Sequence, residues 1–283
     1  MKIKFLEFKN PDDASPIRGI EIIEDQVLFF TESFSEFQLG DKDWRVSETL
    51  PFPNDAGPNS ALKPAVLVKD NKQSALLLLG SGKGEGNENA LLMNLKTKAV
   101  EKVDMSVFYN RIKQAGLSEV NINSATLLNE RIAISNDANG ESRLIVTSND
   151  FWKKQGNADI FKAKVEWEQM PGLNPVITAL AYSYENDWLI LAANAERPIG
   201  EGESGGMKDS YLGIIENAYR KSDRKRLRVN EAVKLSDVDP IFEKQTIESI
   251  SIHADKKKKL KLHMASVDSS GIGYLFKLRL KES

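Results

Sequence analysis

Val176-Ile177-Thr178-Ala179-Leu180, a polar turn at Glu185-Asn186-Asp187, and then Trp188-Leu189-Ile190-Leu191 carry the reading that decides the fold. A short strand, a tight turn and a more apolar second strand form a β-hairpin with a buried second arm. The hairpin gains its weight from recurrence, because a fixed unit repeated along a chain changes the architecture expected of the whole. Upstream, Asn121-Ile122-Asn123-Ser124-Ala125 turns at Asn129-Glu130-Arg131 into Ile132-Ala133-Ile134. Before that, Ala65-Val66-Leu67-Val68 turns at Asp70-Asn71-Lys72 into Ala75-Leu76-Leu77-Leu78-Leu79, and Arg18-Gly19-Ile20-Glu21-Ile22 turns at Glu24-Asp25-Gln26 into Val27-Leu28-Phe29-Phe30. Downstream, Ile247-Glu248-Ser249-Ile250 turns through the lysines at 256–259 into Leu260-Lys261-Leu262-His263-Met264.

Third strands follow most of these hairpins, at 90–95, 144–147, 211–215 and 274–280. The spacing of about 50 to 70 residues exceeds a bare propeller blade of about 40 to 45, and the surplus falls in two insertions. One is the single convincing helix, at 106–117; the other is the Gly- and Glu-rich segment 197–209. Five units of this kind predict an all-β chain folded as one β-propeller domain over residues 1–283, with five blades. Six blades are the alternative if 197–240 hides further strands, and an open sandwich with the same strands is the competing arrangement. The fifth unit reaches only three strands before the chain ends, and the alternating segment 2–8 is the natural fourth. Ring closure by that N-terminal strand would remove two sheet edges.

Composition narrows the function classes. The 283 residues are 41% hydrophobic and 28% charged with a formal net charge of -2. That balance describes a soluble globular chain and lacks the clustered basic charge that nucleic-acid binding needs. No cysteine is present, so thiol nucleophiles, disulfides and thiolate metal sites are excluded. The longest apolar runs fall far short of the roughly 20 residues of a membrane span, and the first residues read as a strand rather than a signal peptide. A cytoplasmic protein is expected, or a periplasmic or secreted one if a leader has been removed.

In a propeller the first strand of each blade lines the central channel. The alignment above predicts Arg18, Leu67, Asn123, Thr178 and Glu248 at equivalent channel positions, with Arg18 and Glu248 close enough across the ring closure to form an ion pair. Top-face loops add Glu32, Asn136, Asp137, Asn194, Glu196 and Asp268, a rim suited to a cation, a sugar or a basic peptide; such residues are also common in turns because they bond their own backbone. Gly80-Ser81-Gly82-Lys83-Gly84-Glu85-Gly86 has the look of a phosphate cradle, but no helix follows it, so it reads as a top-face loop that offers Ser81 and Lys83 to a ligand. The two histidines, His253 and His263, are too few for a zinc site without carboxylates. His263 falls out of phase with Leu260, Leu262 and Met264, which places it on the opposite sheet face or near solvent.

Lys63-Pro64, Leu79-Gly80-Ser81-Gly82, Asn121-Ile122, Ala192-Ala193-Asn194-Ala195-Glu196 and Ile247-Glu248-Ser249 resemble an uncharacterised bacterial family of phytase-like, or strictosidine-synthase-like, β-propellers. The resemblance implies acidic residues at the channel position, suited to a hard cation such as calcium. This chain keeps only Glu248 there, and Leu67, Asn123 and Thr178 stand where acids are expected. The reading that follows is a binding propeller without a cofactor, presenting its channel face to a small molecule, glycan or protein. The alternative, resting on the resemblance, is a calcium-dependent phytase-like or lactonase-like hydrolase.

Overall fold

The computed structural model describes residues 1–10, 17–23, 25–31, 36–51, 62–70, 73–84, 87–138, 141–170, 172–196 and 208–282, without the side chains of Arg18, Thr31 and Lys63. Five antiparallel sheets form five blades. Strand β1 (Lys2–Lys9) is held over for the last of them. Blade 1 runs outward through β2 (Ile17–Ile23), β3 (Gln26–Thr31), β4 (Glu36–Gly40) and β5 (Val46–Pro51). Blade 2 contains β6 (Leu62–Asp70), β7 (Gln73–Gly80), β8 (Asn89–Asn94) and β9 (Val100–Asp104). After the helix α1 (Ser106–Gln114), blade 3 contains β10 (Ile122–Leu128), β11 (Arg131–Ala138), β12 (Glu141–Ser148) and β13 (Phe161–Glu166).

Blade 4 is built from β14 (Val176–Ser183), β15 (Trp188–Glu196), β16 (Lys208–Glu216) and β18 (Glu231–Lys234). Between its last two strands the chain crosses back, and β17 (Arg226–Arg228) adds a parallel fifth strand to the outer edge of blade 3. The strands between residues 208 and 234 therefore complete blade 4 and extend blade 3, and among the described residues they make no sixth blade. Blade 5 consists of β19 (Gln245–Lys256), β20 (Lys259–Asp268), β21 (Gly273–Lys281) and, as its outermost strand, β1. The pairing runs from Lys2 opposite Lys281 to Lys9 opposite Leu275, so the ring is closed by strands from both ends of the sequence as expected.

The apolar second strands follow from the architecture. A strand inside a blade is buried on both faces, so successive side chains enter two different layers between blades. In β15, Leu189, Leu191 and Ala193 pack toward blade 3 while Trp188, Ile190 and Ala192 pack toward blade 5. In β3, Leu28 and Phe30 meet blade 2, and Val27 and Phe29 meet blade 5. Five buried clusters fill the five inter-blade layers. Among the described residues the layer at the closure, between blades 5 and 1, is the smallest, with Ile17, Ile20, Val27, Phe29, Trp44, Ala265 and Leu275. No described helix is long and apolar enough to cross a membrane.

Candidate functional site

Every innermost strand bulges at the same level. In β2 the pairing with β3 slips between Ile17 and Gly19, in β10 between Ile122 and Ser124, in β14 between Ile177 and Ala179, and in β19 between Ile247 and Ser249. The extra residues are Arg18, Asn123, Thr178 and Glu248, four of the five channel positions read from the sequence. The fifth is a correction. In β6 the slip lies between Leu62 and Ala65, so Lys63-Pro64 opposes Leu79 alone and Lys63 stands where Leu67 was expected. Leu67 lies deeper, level with Glu21, because both sit two residues beyond the first paired residue after the bulge. A bulge leaves one residue outside the ladder and redirects its side chain, which suits the rim of a closed ring. Pro64 fits there because a bulge asks for no ladder N–H. Gly19, next to the bulge in β2, is needed because a Cβ would stand 2.7 Å from the Phe30 ring.

The free edges of the inner strands point into the channel, and hydroxyls from the neighbouring blade satisfy part of them. Ile20 N donates to Ser249 Oγ (3.1 Å) and Ile22 N to Ser251 Oγ (3.0 Å). Thr178 Oγ1 donates to Ile247 O (2.5 Å), tying blade 4 to blade 5, and receives the amide of Asn194 at 3.4 Å. Below the bulges the channel narrows to a cavity of about 20 Å³ lined by Glu21, Asn123, Ser124, Glu248 and Ser249 among others, room for about one water. A wider cavity of about 160 Å³ opens further along, where Glu21 reappears with Leu67, Tyr182 and Tyr184.

Glu21 is the channel residue that sequence reading passed over. Burial pushes its carboxyl from 4.5 up to about 8, which holds it mainly as the neutral acid at pH 7. The signal was available: its counterparts in the other blades are Leu67, Thr126, Ala181 and Ser251, so it is the one ionisable side chain at that level.

The expected rim residues divide. Asn136 is buried and structural, with Oδ1 accepting from Asn121 N (2.8 Å) and Nδ2 donating to Glu119 O (3.3 Å). Asn194 is likewise buried, its Oδ1 accepting from Ser210 Oγ at 2.6 Å. Asp268 closes the β20–β21 turn, accepting from Ser270 N, Ile272 N and the Tyr274 hydroxyl. Asp137 differs, since its Oδ1 is buried without a hydrogen-bond partner and burial raises its pKa against the pull of Lys83. Glu196 is exposed at the end of β15, opposite Lys208.

The glycine loop is a junction between blades rather than a cradle. Ser81 Oγ accepts from Lys83 N, Ser81 O accepts from Ile122 N, and Gly82, at φ +72°, leaves a Cβ no room beside Val120. Glu32 lies outside the described residues, as does the Arg18 side chain and with it the expected Arg18–Glu248 pair. His263 does lie on the sheet face opposite Leu260 and Leu262, but it is buried at 2% exposure rather than near solvent.

Residues 62–269 match a family of unknown function, DUF6910. The chain belongs to this family. No curated protein matches it. Among solved structures it is similar to the α-L-arabinanase of Cellvibrio cellulosa complexed with arabinohexaose, at 12% identity and a TM-score of 0.53 over 96% of this chain and 94% of that one. A DUF4221 member from Bacteroides vulgatus is similar at 10% identity and a TM-score of 0.46, over 99% and 79%. At 12% identity the likeness to the arabinanase is one of fold alone.

The DUF6910 match begins at β6 and ends just past β20, taking in the bulge residues Asn123, Thr178 and Glu248 and both histidines; Arg18 and Glu21 lie before it. The resemblance to phytase-like and strictosidine-synthase-like propellers is met at the level of fold, and the family carries neither of those names.

Proposed function

We propose that this DUF6910 protein is a binding propeller that takes a small polar molecule or glycan at the end of its channel ringed by the bulges. The observation that supports this most is the coincidence of five bulges at one level, with Arg18, Lys63, Asn123, Thr178 and Glu248 at the backbone positions that slip. All five are polar residue types, and none has the strand position of a core residue. The constriction beneath them restricts a ligand to the mouth, with Asn123 and Glu248 on its wall. Binding sites of this kind need a few convergent polar groups on a rigid frame, and five inner strands supply the frame.

The test is a thermal-shift titration of the wild-type protein and of Asn123→Ala and Glu248→Gln with neutral oligosaccharides, sugar acids, amino acids and calcium. A ligand that binds only the folded state raises the unfolding temperature saturably. Stabilisation by an organic ligand that both substitutions weaken is the expected result. Stabilisation by calcium alone, lost in Glu248→Gln, would instead favour the metal-dependent hydrolase reading.

A further inference from the structure

The closure layer between blades 5 and 1 holds a second polar site. One cross-strand row of blade 5 runs through Ser251, His263, Lys277 and Glu7. His253, the extra residue where β19 slips between Ile252 and Ala254, stacks its ring on that of His263 at 4.9 Å and 7°. From blade 1, the β4–β5 turn brings Trp44 over the row. Asp41 Oδ1 accepts from Asp43 N and Arg45 N, and Trp44 itself is left-handed at φ 63°, a conformation a bulky residue adopts only when its surroundings hold it there. Its indole is buried and donates to His263 Nδ1 at 3.3 Å. Glu7, His253, His263 and Lys277, with Lys42, Asp43 and Lys261, line a cavity of about 290 Å³ that shares no lining residue with the channel cavities.

Two features of this cavity point to what it binds. Since Nδ1 of His263 is occupied as an acceptor, the neutral ring carries its proton on Nε2, a donor with no partner among the described residues. The charges around it are lopsided. Lys277 is engaged, with Glu7 at 2.8 Å, Asp43 at 3.4 Å and the Trp44 ring at 4.4 Å. Lys42 and Lys261 make no ion pair among the described residues, and Asp25 is the remaining acid that acts on His253. Burial, together with these lysines and the neighbouring ring, holds both imidazoles below their usual range, His263 at about 3. The neutral rings supply N–H donors, and the lining carries three lysines against two carboxylates, Glu7 and Asp43, both of which turn onto Lys277 and leave Lys42 and Lys261 to meet an anion.

We propose that this pocket binds a phosphate group, with Lys42, Lys261 and the Nε2–H of His263 as its donors. Phosphate fits better than a carboxylate, because it offers about twice the charge and one more acceptor oxygen to two ammonium groups and a ring N–H, which act as separate point donors. The cavity is larger than inorganic phosphate, so a phosphate monoester also fits.

The test uses the fact that the chain has only two histidines, whose ring protons give two resolvable NMR signals. Inorganic phosphate and glucose 6-phosphate are titrated at pH 7 and constant ionic strength, with glucose and sodium chloride as controls. Saturable shifts of both histidine signals with either phosphate are expected. Affinity should fall at least ~10-fold in the Lys42→Gln/Lys261→Gln double variant and recover in Lys42→Arg/Lys261→Arg. Equal affinity for the two probes would identify the bare phosphate group as the ligand, and tighter binding of the ester would identify an organic phosphate. The proposal is overturned if neither probe shifts the signals by ~10 mM, if sodium chloride shifts them equally, or if the lysine substitutions leave affinity unchanged. Lys42 and Lys261 are exposed, so these variants should keep the fold.

Discussion

Glu21 shows what a ring of strands does to a single side chain. It stands in the channel wall, level with Leu67, Thr126, Ala181 and Ser251, and burial alone raises its carboxyl to about 8. An acid whose folded pKa lies above its unfolded value binds more protons when folded, so its contribution to stability is complete below pH 4.5 and is lost as pH rises through about 8. The cost above that range is on the order of a few kcal/mol. Glu21→Gln keeps the shape and removes the charge. Chemical denaturation from pH 5 to 9 should show the wild type losing stability across that interval and the variant losing less, so that the variant is the more stable at pH 9. Parallel pH profiles would mean that Glu21 ionises freely in the folded protein.

At the scale of elements, the inner strands of a propeller carry unpaired edges, and this chain covers part of them with hydroxyls from the next blade. Ser249 and Ser251 of β19 accept from Ile20 N and Ile22 N of β2, across the joint where the ring closes. Ser249→Ala and Ser251→Ala should each cost about 1 to 2 kcal/mol in urea unfolding, the amount expected when a sheltered amide loses its acceptor. Amide exchange at Ile20 and Ile22 should accelerate with them, and unaltered exchange there would show the hydroxyls to be dispensable. Strands of this inner and second rank were legible in the sequence because they are buried on both faces and read as apolar runs. Apart from β1, the outermost strands were not, since Val46-Ser47-Glu48-Thr49-Leu50-Pro51 is largely exposed and Arg226-Leu227-Arg228 pairs with a strand some sixty residues earlier. The residues aligned from the sequence coincide with the bulges in four blades of five; the additional residue at Lys63-Pro64 shifted the frame in blade 2, and the same slip concealed Glu21 as the lone acid at its level. The histidine pocket was not legible, because a bulge at His253 and a left-handed Trp44 from another blade assemble it.

The whole molecule depends on its closure, and among the described residues the layer that closes it has the smallest apolar core of the five. Strand β1 compensates from the outer edge of blade 5. It pairs with β21 along its length apart from one slip between Phe5 and Glu7, and Phe5 packs edge-on against Phe242 (6.0 Å) and Phe276 (6.4 Å). Removing residues 1–9 leaves the β21 edge unpaired and uncovers the buried face of Phe276, and the partial burial of Ile3 and Phe5 alone accounts for a loss of about 2 to 4 kcal/mol. For a chain of this size that corresponds to a fall of about 5 °C or more in the unfolding temperature. The exposed edge should also promote association between chains, visible by light scattering. A synthetic peptide of residues 1–9 added in trans should restore part of the loss, because the missing strand contributes its ladder and two apolar side chains without needing a covalent link. A truncated chain that stays monomeric and unfolds within about 2 °C of the full one would show that the ring holds through its inter-blade layers, with β1 an ornament on its rim.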